Sequence, residues 1–148
     1  MKVVGWSGIL LISLAPLLAC SKSPQSPMQG SADTPETRLQ QIPPADQEKY
    51  GHVRDMKTWR NPYMLVKEDG FWLLDVSNNE ERPLSPDQVL TALAALPPSA
   101  WPYGRVVAVQ EVSSGSSDAD RIALRKNRAI LAGTLESAKI LINWVPAA

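Results

Sequence analysis

Cysteine and histidine are nearly missing from this chain of 148 residues, and each scarcity closes a class of function. A single cysteine, Cys20, excludes a disulfide framework and a thiolate metal site. A single histidine, His52, with Asp55 three residues on, leaves nucleophilic catalysis without the usual set of nucleophile, base and orienting group. No G-x-S-x-G elbow presents a serine, and no G-x-x-x-x-G-K-[ST] loop cradles a phosphate chain. An excess of charge is missing too. Fifteen basic residues balance fifteen acidic ones, so the chain lacks the electrostatic footprint of a nucleic-acid binder.

The carboxylate pairs read as local structure. Asp118-Ala119-Asp120 stands at a helix start, where Asp118 is expected to cap and the charges suit the helix dipole. Glu68-Asp69 and Glu80-Glu81 fall on turns, where adjacent acids splay into solvent and do not flank a cleft. Neither a metal nor a cofactor is expected.

The first long apolar run stands at the start of the chain. Lys2 is the only charge before Cys20, and the residues from Val3 to Ala19 are almost continuously apolar. A charged start, an apolar stretch and a small-residue end are the parts of a secretory signal. A permanent membrane span needs about 20 apolar residues, and this run is slightly short and broken by Gly5, Gly8 and Pro16. Its last residues, Leu17-Leu18-Ala19-Cys20, resemble the lipobox of bacterial lipoproteins. The resemblance implies a signal peptide at 1–19, cleavage before Cys20, a diacylglycerol on its thiol, and attachment to the cell envelope. Because Ser21 follows where aspartate would mark inner-membrane retention, it further implies the periplasmic face of the outer membrane.

From Cys20 to about Ala45, prolines 24, 27, 35, 43 and 44 are scattered among Ser, Gln, Thr and charged residues. Such a composition predicts a disordered tether, since it buries too little surface to offset its ordering entropy. Residues 46–148 are then enough for one small domain. Val53, Met56 and Trp59 permit a short amphipathic helix that Asn61-Pro62 ends. Tyr63 to Val76 reads as a hairpin turning at Asp69-Gly70 and ending at Ser77-Asn78-Asn79. Ser85-Pro86-Asp87-Gln88 is a helix start with a capping box, and Val89, Leu93 and Leu96 share one face before Pro97-Pro98. Arg105 to Val109 reads as a strand buried on both faces. A Ser/Gly loop leads to a second helix, whose apolar face is predicted at Ala119, Ile122, Ala123, Ala129 and Ile130 and whose end is predicted near Gly133. Lys139 to Val145 closes the chain as a strand. The order β-β-α-β-α-β predicts a small two-layer α/β sandwich with its helices on one face of the sheet.

Arg121, Arg125 and Arg128 form a stripe expected opposite that apolar face, and they are the candidate binding face for an anionic or acidic partner. Trp101 and Tyr103 are candidate aromatic contacts, with core packing as the plainer role. Leu124 and Leu131, off the predicted apolar face, point to a second contact.

Two further resemblances bear on the folded part. The order of elements from Pro62 to Val145, with Val66-Lys67-Glu68-Asp69-Gly70 and Tyr103-Gly104-Arg105-Val106-Val107-Ala108-Val109, resembles the periplasmic domain of ExbD/TolR-type energy-transduction proteins. Their transmembrane helix and its proton-coupling carboxylate have no counterpart here, so the resemblance implies the fold and partner or wall binding only. Leu124-Arg125-Lys126-Asn127-Arg128-Ala129 is similar to the helix of OmpA-like peptidoglycan-binding domains, which implies that Arg128 meets a peptide carboxylate. The aspartate expected after the preceding strand is replaced by Glu111-Val112-Ser113. Together these readings predict a membrane-anchored envelope lipoprotein whose domain binds another envelope protein without catalysis, with peptidoglycan as the alternative partner.

Overall fold

A computed structural model describes residues 33–113, 115 and 117–146. The leader, Cys20 and the first part of the expected tether lie outside the described residues. The chain folds as an α/β domain around a five-stranded sheet: β1 (Tyr63–Lys67), β2 (Gly70–Asp75), β3 (Glu80–Leu84), β4 (Val106–Glu111) and β5 (Leu141–Val145). Their spatial order is β3-β2-β1-β4-β5. β1, β2 and β3 form an antiparallel meander, whereas β4 runs parallel to both β1 and β5.

The strand β3 is not in the predicted order. Ser77-Asn78-Asn79 does not end the hairpin but turns it, with Asn79 at φ 57°, into a third strand. Glu-Glu-Arg-Pro-Leu carries no alternation of apolar residues, so only pairing with β2 makes it a strand. In the first hairpin the two turn residues are Glu68-Asp69, since Gly70 already pairs with Lys67.

Both faces of the sheet are covered. On one face Met64, Val66, Phe71, Val107 and Val109 pack against helices α1 (Pro35–Gln41), α3 (Val89–Ala94) and α4 (Asp118–Ser137) through Leu39, Val89, Leu93, Leu131 and Leu135. On the other, Tyr63, Leu65, Val106 and Ala108 lie beneath the segment carrying the short α2 (Gln47–Tyr50), Val53, Met56 and Trp59. The long helices thus share one face as predicted, while a four-residue helix and a 3-10 turn at Met56–Thr58 cross the opposite one.

The folded domain begins ahead of residue 46. Thr34 caps α1 by accepting the Thr37 N–H at 3.2 Å, and Leu39 is wholly buried in the core. The Gln40 amide donates to the Ala138 carbonyl at 2.8 Å, and the Arg105 N–H donates to Pro43 O at 2.8 Å. A seven-residue helix is too short to persist alone. It exists because Leu39 and Ile42 have a core to enter. Gly104 permits the crossing of Pro43-Pro44: its φ is +75°, and a Cβ there would collide with the Pro44 carbonyl.

Helix α4 departs from the prediction at both ends and in its face. Ser117, not Asp118, caps it: the Ser117 hydroxyl accepts the Asp120 N–H at 3.1 Å, and Asp120 Oδ2 accepts the Ser117 N–H at 3.1 Å. The helix passes Gly133 and ends at Ser137. There the Ile140 N–H donates to Leu135 O at 2.9 Å and the Lys139 N–H to Glu136 O at 2.8 Å, with Lys139 at φ 57°. This is a Schellman ending whose left-handed position holds a lysine in place of glycine. Lys139→Gly is therefore expected to raise stability by about 0.5–1 kcal/mol, read as a higher urea midpoint at unchanged m-value. The buried face runs through Leu124, Leu131 and Leu135, with Ile130 of the predicted face also packed against the core, while Ile122 is 64% exposed.

Candidate functional site

Shifting the buried face of α4 also moves the arginines. Arg128 follows Leu124 by four residues and precedes Leu131 by three, so it borders the buried stripe and does not oppose it. Its Nη1 donates to Glu111 Oε1 at 2.5 Å, and its guanidinium lies 4.2 Å from the centre of the Trp144 ring. Arg121 pairs with Asp118 one turn earlier on the same helix. Arg125 is exposed and has no ion pair among the described residues. Of the predicted stripe only Arg128 joins α4 to β4 and β5.

The two predicted aromatic contacts separate. Trp101 is buried in the core cluster with Leu39 and Leu93. Tyr103 is half-buried on the other side of the sheet, 5.1 Å from the Trp59 ring and 6.3 Å from the Tyr50 ring. Neither ring stacks on an arginine of α4, so the structure does not join the five residues into one surface.

Of the acids, Asp118 and Asp120 are engaged with Arg121 and with the helix cap. Glu68 does not splay outward: its Oε1 accepts the Ser113 hydroxyl at 2.8 Å and the Gly115 N–H at 3.1 Å. Asn127 closes the same corner by donating to the carbonyls of Lys67 and Glu68 at 2.9 and 3.0 Å. Three titrating groups of the described residues are displaced from their ordinary values, among them Asp87, whose carboxyl a hydrogen bond from the Ser85 side chain lowers. The Lys49 ammonium hydrogen-bonded to Asp46 lowers that carboxyl, and burial raises the Tyr63 phenol, whose hydroxyl donates to Gln110 at 2.8 Å.

The outer strands of the sheet are chemically unlike. β3 presents Glu80, Glu81 and Arg82 together with Pro83, which has no N–H to offer. Charges and proline are the devices that stop a sheet edge from pairing with another chain. β5 reads Leu-Ile-Asn-Trp-Val and has none of them. Because the Leu141 N–H donates to Arg105 O at 2.9 Å, alternation along a parallel ladder turns the backbone groups of Ile142 and Trp144 outward. Among the described residues no further strand pairs with them, and Leu141 is 48% exposed. Arg128 covers the Trp144 ring at the side of this edge.

No family model, curated protein or solved structure matches the chain. Two hollows flank the segment 57–60. The larger, about 1220 Å³, lies along the β2–β3 hairpin and mixes Glu80 and Glu81 with Lys57 and Arg82, so charges of neither sign converge there. The smaller, about 370 Å³, is lined by Lys49, His52, Arg54, Thr58, Arg60 and Tyr103 among others. Sequence reasoning passed over it because its cations follow no helical or strand period. It also passed over Asn61, whose only sequence signal was the proline after it.

Among the described residues no group of three or more His, Cys, Asp or Glu side chains is placed to hold a metal ion. No helix of the described residues is long and apolar enough to cross a membrane.

Proposed function

We propose that this chain is a lipid-anchored protein of the cell envelope whose α/β domain binds a protein partner and performs no catalysis. The observation that carries the reading is the contrast between the guarded β3 edge and the open β5 edge. An apolar strand with outward N–H and C=O groups is a template for an added strand, which supplies affinity through main-chain hydrogen bonds and specificity through side-chain pockets. Trp144 and Arg128 beside the edge provide the aromatic and guanidinium groups that dominate protein interfaces. The lipid would be carried by Cys20, and the segment left to connect it to the domain is 21–33, about half of the expected tether. Fully extended, that segment reaches about 45 Å at most, so the domain works close to the membrane that holds it.

The alternative partner, peptidoglycan held by Arg128, requires that arginine to leave Glu111 and Trp144. A photo-crosslinking side chain placed at Leu141 is expected to yield one discrete adduct with an envelope protein in intact cells. The same group at Glu81 on β3 is expected to yield none. Equal adducts at both edges, or none at either, would sink the strand-docking reading. Saturable sedimentation with purified wall that disappears in Arg128→Ala would transfer the function to the wall.

A further inference from the structure

The smaller hollow lies against the opposite sheet face from α4 and plays no part in the docking strand. Four of its lining residues, Lys49, His52, Arg54 and Arg60, carry basic side chains, and none of its lining residues carries a carboxylate. That grouping is unexpected in a chain whose charges cancel overall. One of the four, Lys49, is already paired with a neighbouring carboxylate. Asp46 accepts the Glu48 N–H at 3.2 Å and pairs with the Lys49 ammonium at 3.1 Å. Asp55 accepts the Lys57 N–H at 2.9 Å, capping the 3-10 turn. Arg54 and Arg60 are left without an ion pair among the described residues.

The floor beneath these cations is fixed. The Tyr103 N–H donates to Asn61 Oδ1 at 2.9 Å, and its carbonyl accepts the Asp46 N–H at 2.9 Å. Its ring rests against Trp59, whose indole N–H donates to Pro62 O at 3.2 Å. The Thr58 hydroxyl already donates to the Asp55 carbonyl at 2.7 Å, so the guanidiniums and not a hydroxyl would hold a ligand. Two guanidiniums without an ion pair among the described residues, each a planar fork of donors, match a group with two negative charges and several acceptor oxygens.

We propose that this hollow binds a phosphate group, with Arg54 and Arg60 as its principal ligands and Tyr103 as its rigid wall. A phosphate ester in solution and the headgroup of an anionic lipid offer the same chemistry. The short connection to Cys20 keeps both within reach if the anchoring reading holds, but the hollow's charge does not depend on that reading.

The test is calorimetric titration of the full-length protein in micelles of an uncharged detergent. One arm adds inorganic phosphate, a second adds micelles doped with phosphatidylglycerol, and a third adds acetate. Saturable binding of phosphate or of the doped micelles is expected, with acetate silent. Arg54→Gln/Arg60→Gln is expected to weaken it by about tenfold or more, since each lost contact is a charge-assisted hydrogen bond. Lys126→Gln, which removes one positive charge at an exposed position of α4, is expected to leave it unaltered. Arg54→Lys/Arg60→Lys keeps the charge, removes the forks and is expected to fall between; it carries the test if the glutamine variant does not fold. Response to the doped micelles alone assigns the phosphate to lipid. Absence of saturable binding in both arms, equal affinity in the glutamine variant, or acetate binding of equal strength overturns the proposal.

Discussion

Asn61→Ala is expected to unfold at a much lower urea concentration than the wild-type protein, having lost about 3 kcal/mol of stability. Asn61 is the one buried polar side chain of the described core, and it uses both ends of its amide. Its Nδ2 donates to the carbonyls of Gly104 and Val106 at 2.7 and 2.8 Å, and its Oδ1 accepts the Tyr103 N–H at 2.9 Å. These bonds join the entry of β1 to the turn that enters β4. Removing the amide leaves the Tyr103 N–H and the Val106 carbonyl short of a partner, while Gly104 O keeps the Val106 N–H at 2.8 Å, and the cost of orphaned groups exceeds the net value of the bonds. Asn61→Asp provides a sharper check. It retains the acceptor for Tyr103 but loses both donors and brings an unpaired charge toward two carbonyls, so it should be at least as destabilising as alanine. Equilibrium denaturation of the three proteins, with m-values compared, measures the effect. An alanine variant within about 0.5 kcal/mol of wild type, the range of ordinary surface substitutions, would show that the clamp is dispensable.

The second large effect is expected at Leu39. Leu39→Ala should cost about 3 kcal/mol, the usual loss for deleting a fully buried leucine where the surroundings relax only in part. The side chain enters the core cluster with Val89, Leu93 and Trp101, and α1 packs along α3. A chain beginning at Asp46 should fare worse than the point variant. It removes Leu39 and Ile42, the Gln40 bond to Ala138, and the Pro43 carbonyl that accepts from Arg105. It also strips the cover from an apolar face, which then invites aggregation. Thermal or urea unfolding of the two shortened cores against the full chain checks this directly. If a chain starting at Asp46 matched the full protein in stability, α1 would be an ornament on the domain and not part of it.

These two cases show where the sequence was legible. The hairpin of β1 and β2, the strand β4 and the capped turn ahead of α3 each had a local signal strong enough to survive tertiary context: alternation, a continuous apolar run, and a Ser-Pro-x-Gln start that forms the 3-10 turn Pro86–Gln88, whose Gln88 side chain accepts the Ser85 N–H at 3.0 Å. Segments without a dense local signal were misread. α1 holds only two apolar anchors in a polar stretch, and β3 holds one, so neither composition nor periodicity marks them. The face of α4 was misread because small and large apolar residues were weighed alike. Three leucines at 124, 131 and 135 outweigh a cluster made mostly of alanines, since burial free energy follows area. The end of α4 was misread because its left-handed residue is Lys139, and glycine is what sequence reasoning looks for there.

The α/β class, the antiparallel hairpin, the near-neutral charge and the scarcity of histidine and cysteine are all legible along the chain. Each of these follows from residues that are neighbours in the chain or from a simple count. Only the tertiary structure decided which residues meet. It placed Arg128 on Trp144, left β5 as an open edge while β3 is guarded, drew α1 into the core, and gathered Lys49, His52, Arg54 and Arg60 around Tyr103. The physical reason is common to all four. Pairing at an edge, burial of an isolated leucine and convergence of cations are properties of surfaces brought together over long sequence separations, and no local pattern encodes them.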